Sequence, residues 1–228
     1  MSDITLRELN RLESKPLFSC KDPISALTHF IGFVASIILT PFLLSKAYRD
    51  SVGLPNLVGL SVYCLSMTAL YGASAAYHTF ILPPRPAKLL KKFDHISIYL
   101  LIAGTYTPIC MGKMDRSIGI PMLFTVWGVA AAGIVMKIFW VNCPRFVSSI
   151  IYISMGWIAA DRIRDIYGFL GFLPFLILLI GGILYTVGGV IYAMKFSISR
   201  DWSEHELFHL FILAGSLMHY LMIFFFVA

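Results

Sequence analysis

Long apolar stretches separated by short polar gaps recur along the chain, and they determine the solvent in which it folds. Seven stand out, at residues 24–45, 54–77, 93–112, 118–138, 146–160, 169–194 and 205–227. Six of them have the roughly 17–25 residues that a helix needs to cross a bilayer. Only 13% of the residues are charged, whereas about 25% is usual in soluble domains. The pattern predicts an all-α integral membrane protein with a bundle of seven transmembrane helices.

The fifth stretch is the weakest of the seven, because it lies between Arg145 and Asp161 and is short for a membrane span. To cross, it needs Arg145, Arg162 or Arg164 to extend its side chain to the interface. If it did not cross, the seventh stretch would run in the opposite direction. Its histidines would then lie a membrane's thickness away from those of the second stretch.

Basic residues are distributed unevenly between the two sides of this predicted bundle. The N-terminal side carries twelve of the 18 lysines and arginines, and the other side carries six: Lys46, Arg49, Lys113, Arg116, Arg162 and Arg164. The positive-inside rule therefore predicts a cytoplasmic N-terminus and a C-terminus outside. The net charge of +6 thus reflects topology, and we expect no nucleic-acid partner.

Residues 1–23 are predicted to form a cytoplasmic N-terminal segment, and residues 24–228 a single transmembrane domain. Asp22 and Pro23 suit the N-cap and first turn of the first membrane helix. Upstream, Thr5 and Glu8 have the spacing of a capping box. The four cysteines show no paired spacing, which indicates packing residues and not a disulfide framework.

Ionisable side chains inside membrane spans are costly, so each is a candidate functional residue. They include all six histidines of the chain and comprise His29, His78, Asp94, His95, His205, Glu206, His209 and His219. The alternating direction of the helices places four of them, namely His78, Asp94, His205 and His209, at one depth near the cytoplasmic boundary. His29 shares that level, and His219 lies about 15 Å deeper along the last helix.

Spacing within the last helix suggests a metal site. His205 and His209 are four residues apart, so their side chains project from one face and can share an ion. With His78 they make three imidazole ligands, the number found in catalytic zinc sites. A carboxylate such as Asp94 would offset the charge of the ion. A single histidine in a membrane helix is more often a packing residue, and the roles of His29, His95 and His219 stay open.

The sequence "HELFH" at 205–209 also satisfies HExxH, in which two histidines bind zinc and the glutamate is the general base of a protease. Under that interpretation Glu206 would be catalytic. However, no aspartate–glycine pair follows that could supply the third ligand of an intramembrane protease.

The ordered set Ser74-x-x-x-His78, Asp94 and His205-x-x-x-His209 resembles the signature of the membrane hydrolases and receptors that include adiponectin receptors and alkaline ceramidases. The chain most resembles their bacterial branch, the hemolysin III family. The resembling segments are "ISALTHFIGF" (24–33), "SAAYH" (74–78), "FDHISIYLLIAGTYTP" (93–108), "YISMGWIAA" (152–160), "GGILYTVGGVIYAMK" (181–195) and "HELFHLFILAGSLMHY" (205–220). Phe30 departs from the glycine that usually follows the first histidine, which puts a role for His29 in doubt.

This resemblance implies a zinc ion held by His78, His205 and His209, with Asp94 acting on the water that zinc activates and Ser74 beside it. It also implies that the HExxH match is coincidental. The expected function is zinc-dependent hydrolysis of a membrane lipid amide or ester, in a multi-pass protein of the bacterial plasma membrane. Two alternatives stay open: a sensor or membrane-fluidity factor with structural zinc, and a pore-forming cytolysin.

Overall fold

The computed structural model describes residues 20–196 and 203–228. Within these ranges the chain is helical and contains no strand, which confirms the predicted all-α class. The elements are α1 (Pro23–Arg49), α2 (Leu54–Thr79), α3 (Pro84–Gly112), α4 (Arg116–Phe139), α5 (Arg145–Gly156), a 3₁₀ turn (Ile158–Arg162), α6 (Ile163–Leu170), α7 (Phe172–Met194) and α8 (Glu204–Phe226). The capping box predicted at Thr5 and Glu8 lies outside the described residues.

Six helical segments of the described chain are long and apolar enough to cross a membrane, and α3 is a seventh of sufficient length. Helix α3 begins at Pro84 and not at residue 93. Its first turns carry several lysines, so its average hydropathy is lower although its remaining turns are apolar. The finding supports a multi-pass membrane protein.

The fifth segment extends further than the sequence suggested. It continues beyond residue 160 through the 3₁₀ turn and α6, so that Arg145–Leu170 forms one 26-residue candidate span. The charged residues of this segment lie within it, and Arg162 forms ion pairs with Asp161 and Asp165. The next helix accordingly begins at Phe172 and not at residue 169.

Contacts at the two ends of the bundle show that successive segments alternate in direction. At one end, Lys91 Nζ donates to Asn142 Oδ1 at 2.8 Å, and Arg145 forms an ion pair with Glu204. At the other end, Asn56 Nδ2 donates to the backbone oxygen of Val227 at 3.0 Å. The start of α8 therefore lies at the same end as the end of α2, as seven crossings require. Which end faces the cytoplasm stays a prediction from charge.

Aromatic side chains fill the bundle interior where glycines let the helices approach closely. Gly32 on α1 packs on the ring of Tyr71, and a Cβ at this position would lie 2.6 Å from that ring. Tyr63, Tyr71 and Tyr99 are buried. All four cysteines are free, and Cys64, Cys110 and Cys143 are buried.

Candidate metal centre

Three imidazole rings converge where the end of α2 meets the start of α8. His78 lies in the last turn of α2, and His205 and His209 lie in the first two turns of α8. The Nε2 atom of His205 is 3.1 Å from Nε2 of His78 and 3.1 Å from Nε2 of His209. Potential ligand atoms of all three lie within 4.8 Å of one another. The spacing along α8 thus brings two donors to one point, and tertiary packing adds the third.

Hydrogen bonding alone satisfies such a cluster poorly. A neutral imidazole nitrogen carries either one hydrogen or one lone pair, yet Nε2 of His205 faces two other ring nitrogens at equal distance. A metal ion accepts all three lone pairs at once. Tetrahedral zinc with Zn–N bonds of about 2.0–2.1 Å would place its nitrogen ligands about 3.3 Å apart. The donor set is therefore of the right type for a zinc ion, and the two separations of 3.1 Å that involve His205 are close to that spacing.

Asp22 fixes the orientation of His78, a role that the sequence did not reveal. Its position before α1 suggested a helix cap, but its side chain makes no capping hydrogen bond. Instead Oδ2 of Asp22 lies 2.9 Å from Nδ1 of His78. A carboxylate there selects the tautomer with a hydrogen on Nδ1, which leaves the lone pair on Nε2 for a metal.

Backbone hydrogen bonds hold Asp22 in this position. The Asp22 amide donates to the His78 carbonyl oxygen at 2.9 Å, and the Lys21 amide donates to that of Thr79 at 3.3 Å. The Lys21 ammonium lies 3.5 Å from the centre of the Tyr77 ring. Burial raises the pKa of Asp22, but the hydrogen bond with His78 and the charge of Lys21 outweigh it, so the net pKa is below the usual value. Asp22 is therefore ionised at neutral pH.

Asp94 is a buried carboxyl group at the level of the histidines. It lies in α3, is 8% exposed, and lines the same cavity as His205 and His209. The hydroxyl group of Ser74 on α2 faces the Asp94 carboxyl group, but it makes no hydrogen bond of standard geometry with a described residue. The structure thus brings all five residues of the predicted site to one end of the bundle.

The ring of His29 packs against the cluster of three imidazoles. Its ring stacks on that of His209, with centroids 3.7 Å apart and planes at 20°, and meets the Tyr71 ring edge-on at 5.1 Å. Both of its nitrogens are buried without a partner among the described residues. His29 therefore restricts how the His209 ring can turn. The sequence placed it at the right depth but could not show the stacking.

Glu206 has a structural role at the start of α8. Its Oε2 accepts a hydrogen bond from the Ser203 amide at 2.7 Å, and the Ser203 hydroxyl accepts one from the Glu206 amide at 3.5 Å. Together they form a capping box. The glutamate of the HExxH match is thus occupied in helix capping, and Ser203-x-x-Glu206 was the signal in the sequence that could have shown this.

A largely apolar cavity of about 190 Å³ extends from the histidines into the bundle. Its lining includes Asp94, His205 and His209 at one end and Met114 and Met122 near the other. Leucine, isoleucine and aromatic side chains line most of the length between. The metal centre therefore lies at the polar end of a long apolar cavity.

Comparison with known proteins places this architecture in a family. The family described as Haemolysin-III related matches residues 19–220. The chain belongs to the haemolysin-III family. It is 35% identical over 201 residues to the Hemolysin-3 homolog of Bacillus subtilis (strain 168), which covers 88% of this chain and 92% of the relative. It is 37% identical over 205 residues to Hemolysin-3 of Bacillus cereus, which covers 89% and 90% of the two chains.

The haemolysin-III match confirms the resemblance seen in the sequence and includes every residue of the candidate metal centre. Asp22 and His219 fall near the two limits of the matched region, so the orienting carboxylate and the deep histidine both belong to it. The names of the two relatives refer to haemolysis and do not mention a metal. The case for a metal therefore rests on the geometry of the three imidazoles.

Proposed function

We propose that this haemolysin-III protein is a zinc-dependent hydrolase that acts on an amide or ester bond of a membrane lipid. The observation that carries the proposal is the convergence of three Nε2 atoms at the polar end of an apolar cavity that also contains a buried carboxyl group. Structural zinc sites are usually closed by four protein ligands, whereas catalytic sites use three and leave one position open. The described residues offer three.

Zinc fits this donor set better than calcium or magnesium. Imidazole nitrogen is a preferred ligand of zinc, whereas calcium and magnesium take oxygen ligands. When bound, zinc supplies Lewis acidity at its open position. The contribution of Asp22 is to present Nε2 of His78 to the ion, and that of His29 is to hold the plane of His209.

Asp94 supplies the proton acceptor that hydrolysis needs. Water attacking a lipid carbonyl loses a proton, and a carboxylate within hydrogen-bond reach accepts it and returns it to the leaving group. The Ser74 hydroxyl faces Asp94, and a small movement would let it donate to the carboxylate. Since Asp94 is buried at the edge of an apolar cavity, few competing waters reach it.

The shape and polarity of the cavity support a lipid as substrate. The carboxyl group of Asp94 and the imidazoles of His205 and His209 lie at the metal end, and most of the remaining wall is apolar. An acyl chain can lie along that wall, with its carbonyl group at the histidines. Such a substrate reaches the site from the membrane without first entering water.

The proposal is tested with purified protein and lipids extracted from bacterial membranes, by measuring released free fatty acid and bound zinc. Asp94→Asn should retain zinc and reduce turnover by about 10²-fold or more. Glu206→Gln is the matched control, because glutamine at that position preserves the capping box, and it should retain both zinc and turnover. Normal turnover in Asp94→Asn would refute the mechanism, and loss of turnover in Glu206→Gln would restore the protease interpretation.

Other results would support one of two different functions. If no lipid is hydrolysed but Asp94→Asn still abolishes a membrane-fluidity phenotype in cells, the protein is a sensor or homeostasis factor that uses the same cavity. The name of the Bacillus cereus relative favours a cytolysin as the third candidate. Release of dye from liposomes by protein stripped of zinc would establish that function and remove the hydrolase.

A further inference from the structure

His219 is a buried histidine that the proposed mechanism does not use. It follows His209 by ten residues in α8, so it lies about 15 Å deeper in the bundle. It is only 6% exposed, and it lines the same cavity as the metal centre. A polar ring at this depth is costly unless its nitrogens are paired.

One of its two nitrogens is paired, which fixes the tautomer. Nε2 lies 3.2 Å from the backbone oxygen of Leu178. A carbonyl oxygen can only accept, so Nε2 carries the hydrogen and Nδ1 has the lone pair. Nδ1 has no hydrogen-bond partner among the described residues. The ring therefore presents an unused acceptor.

The packing of α7 determines which way that acceptor points. A Cβ on Gly181 would lie 2.4 Å from both Cδ2 and Nε2 of His219. The edge formed by these two atoms is therefore pressed against the backbone of α7, and the Nδ1 side of the ring is turned away from it. Because residue 181 is glycine, the His219 ring can approach α7 this closely. Its acceptor Nδ1 then lies on the side of the ring that faces away from α7.

Nearby hydroxyl groups do not satisfy Nδ1. Tyr185 meets the His219 ring edge-on at 5.0 Å, but its hydroxyl pairs with Oγ of Ser216 at 2.7 Å. The Tyr71 hydroxyl also pairs with Ser216, at 2.6 Å. These three groups form a network of their own, and the buried Nδ1 atom has no partner among the described residues.

We propose that His219 is a subsite for a hydroxyl group carried part-way along the apolar chain of the ligand. The inference rests on the proposed function in one respect, namely that the head group of the ligand lies at the metal centre. An extended chain advances about 1.2 Å per backbone bond, so about 15 Å corresponds to roughly a dozen bonds. The ligand class is therefore a long-chain acyl group with a hydroxyl near the middle or distal part of its chain.

A hydroxyl group matches this position better than an amide. A hydroxyl donates one hydrogen bond and can leave its own oxygen without a donor at small cost. An amide would also bury a carbonyl oxygen, which needs a donor, and the hydroxyls of Tyr71, Tyr185 and Ser216 already bond to one another. Because His219 offers one free acceptor, it favours a ligand group that needs to donate only one hydrogen bond.

Binding of free fatty acids to the purified full-length protein in detergent tests this subsite. The probes are octadecanoic acid and its monohydroxy isomers, each competing with a fluorescent fatty acid. The isomer with its hydroxyl roughly a dozen bonds from the carboxyl group should bind about three- to tenfold more tightly than octadecanoic acid, since one neutral hydrogen bond is gained. Isomers with the hydroxyl close to the carboxyl group should show no such preference.

Two substitutions locate the preference at His219. His219→Phe removes the acceptor and should bring the ratio of the two affinities to about one. His219→Asn places Oδ1 close to the position of Nδ1 and should retain the preference. If His219→Phe fails to hold octadecanoic acid, the smaller His219→Leu takes its place in the same comparison.

Two results would overturn the inference: an affinity ratio of one in the wild-type protein, as expected if a water molecule occupies the acceptor, or an unchanged ratio after the acceptor is removed. The assay uses free acids and needs no turnover. Absence of lipid hydrolysis would therefore refute the proposed function and leave the affinity ratio intact, whereas a ratio of one beside normal hydrolysis would remove only the subsite.

Discussion

The carboxylate of Asp22 should strengthen zinc binding although it is not a ligand. Its hydrogen bond to Nδ1 of His78 is 2.9 Å long, and carboxylates in this position typically change metal affinity by about 10–100-fold. The Asp22 side chain is 44% exposed, so water screens part of its charge. We therefore expect the lower part of that range, about tenfold for Asp22→Asn, which is about 1.4 kcal/mol.

Comparison of Asp22→Asn with Asp22→Ala separates charge from orientation. Asparagine keeps an oxygen that accepts from Nδ1–H of His78, whereas alanine removes the acceptor and frees the ring to turn. The loss of affinity should therefore be larger for alanine. Zinc affinity is measured on protein in detergent by competition with a chromophoric chelator at constant pH.

Asp50→Asn is the matched control for this measurement. Asp50 follows the other end of α1 and bonds to Lys46 at 2.8 Å, far from the histidines. Its substitution removes the same charge from the same protein and should leave zinc affinity unchanged. If Asp22→Ala and Asp50→Asn have equal zinc affinities, the orienting role of Asp22 is wrong.

Three further results are expected. His205→Ala with His209→Ala should remove bound zinc measured by elemental analysis, and one zinc per chain in the double variant would exclude the site. Zinc occupancy measured by the same analysis should fall on acidification, because protons compete with the ion for the imidazole nitrogens, and occupancy that does not depend on pH would contradict histidine ligation. Gly181→Ala should destabilise the protein by about 1–3 kcal/mol, because its Cβ would lie 2.4 Å from His219. Gly182→Ala should not destabilise it, because a Cβ there meets nothing within 4 Å. Equal thermal unfolding temperatures of the two variants would contradict this packing.

Much of the architecture could be predicted from the sequence because membrane helices obey strong constraints. Apolar length sets the number of crossings, and each crossing reverses the chain. That alternation was enough to place His78, Asp94 and His209 at one depth, where the structure brings them together. The length of the fifth stretch was predicted too short, because the charged residues after residue 160 look like the end of a helix in the sequence.

The sequence also contains a local signal for the role of Glu206. Ser203 and Glu206 have the spacing of a capping box, which depends only on residues three apart. The HExxH match covers the same glutamate and drew attention to catalysis. Both patterns were present in the letters, and only the hydrogen bonds of Ser203 and Glu206 show which one is used.

The sequence by itself determined the fold class, the depth of each polar residue and the pairing of His205 with His209, because helical rise and periodicity are properties of a single segment. Only the tertiary structure decided which side chains of different helices meet. Asp22 bonds to His78 across 56 residues, and His219 keeps a free acceptor because the Leu178 carbonyl takes its hydrogen. These contacts depend on the rotation of each helix about its axis and on individual side-chain rotamers. Neither is set by periodicity, because both follow from how neighbouring helices pack.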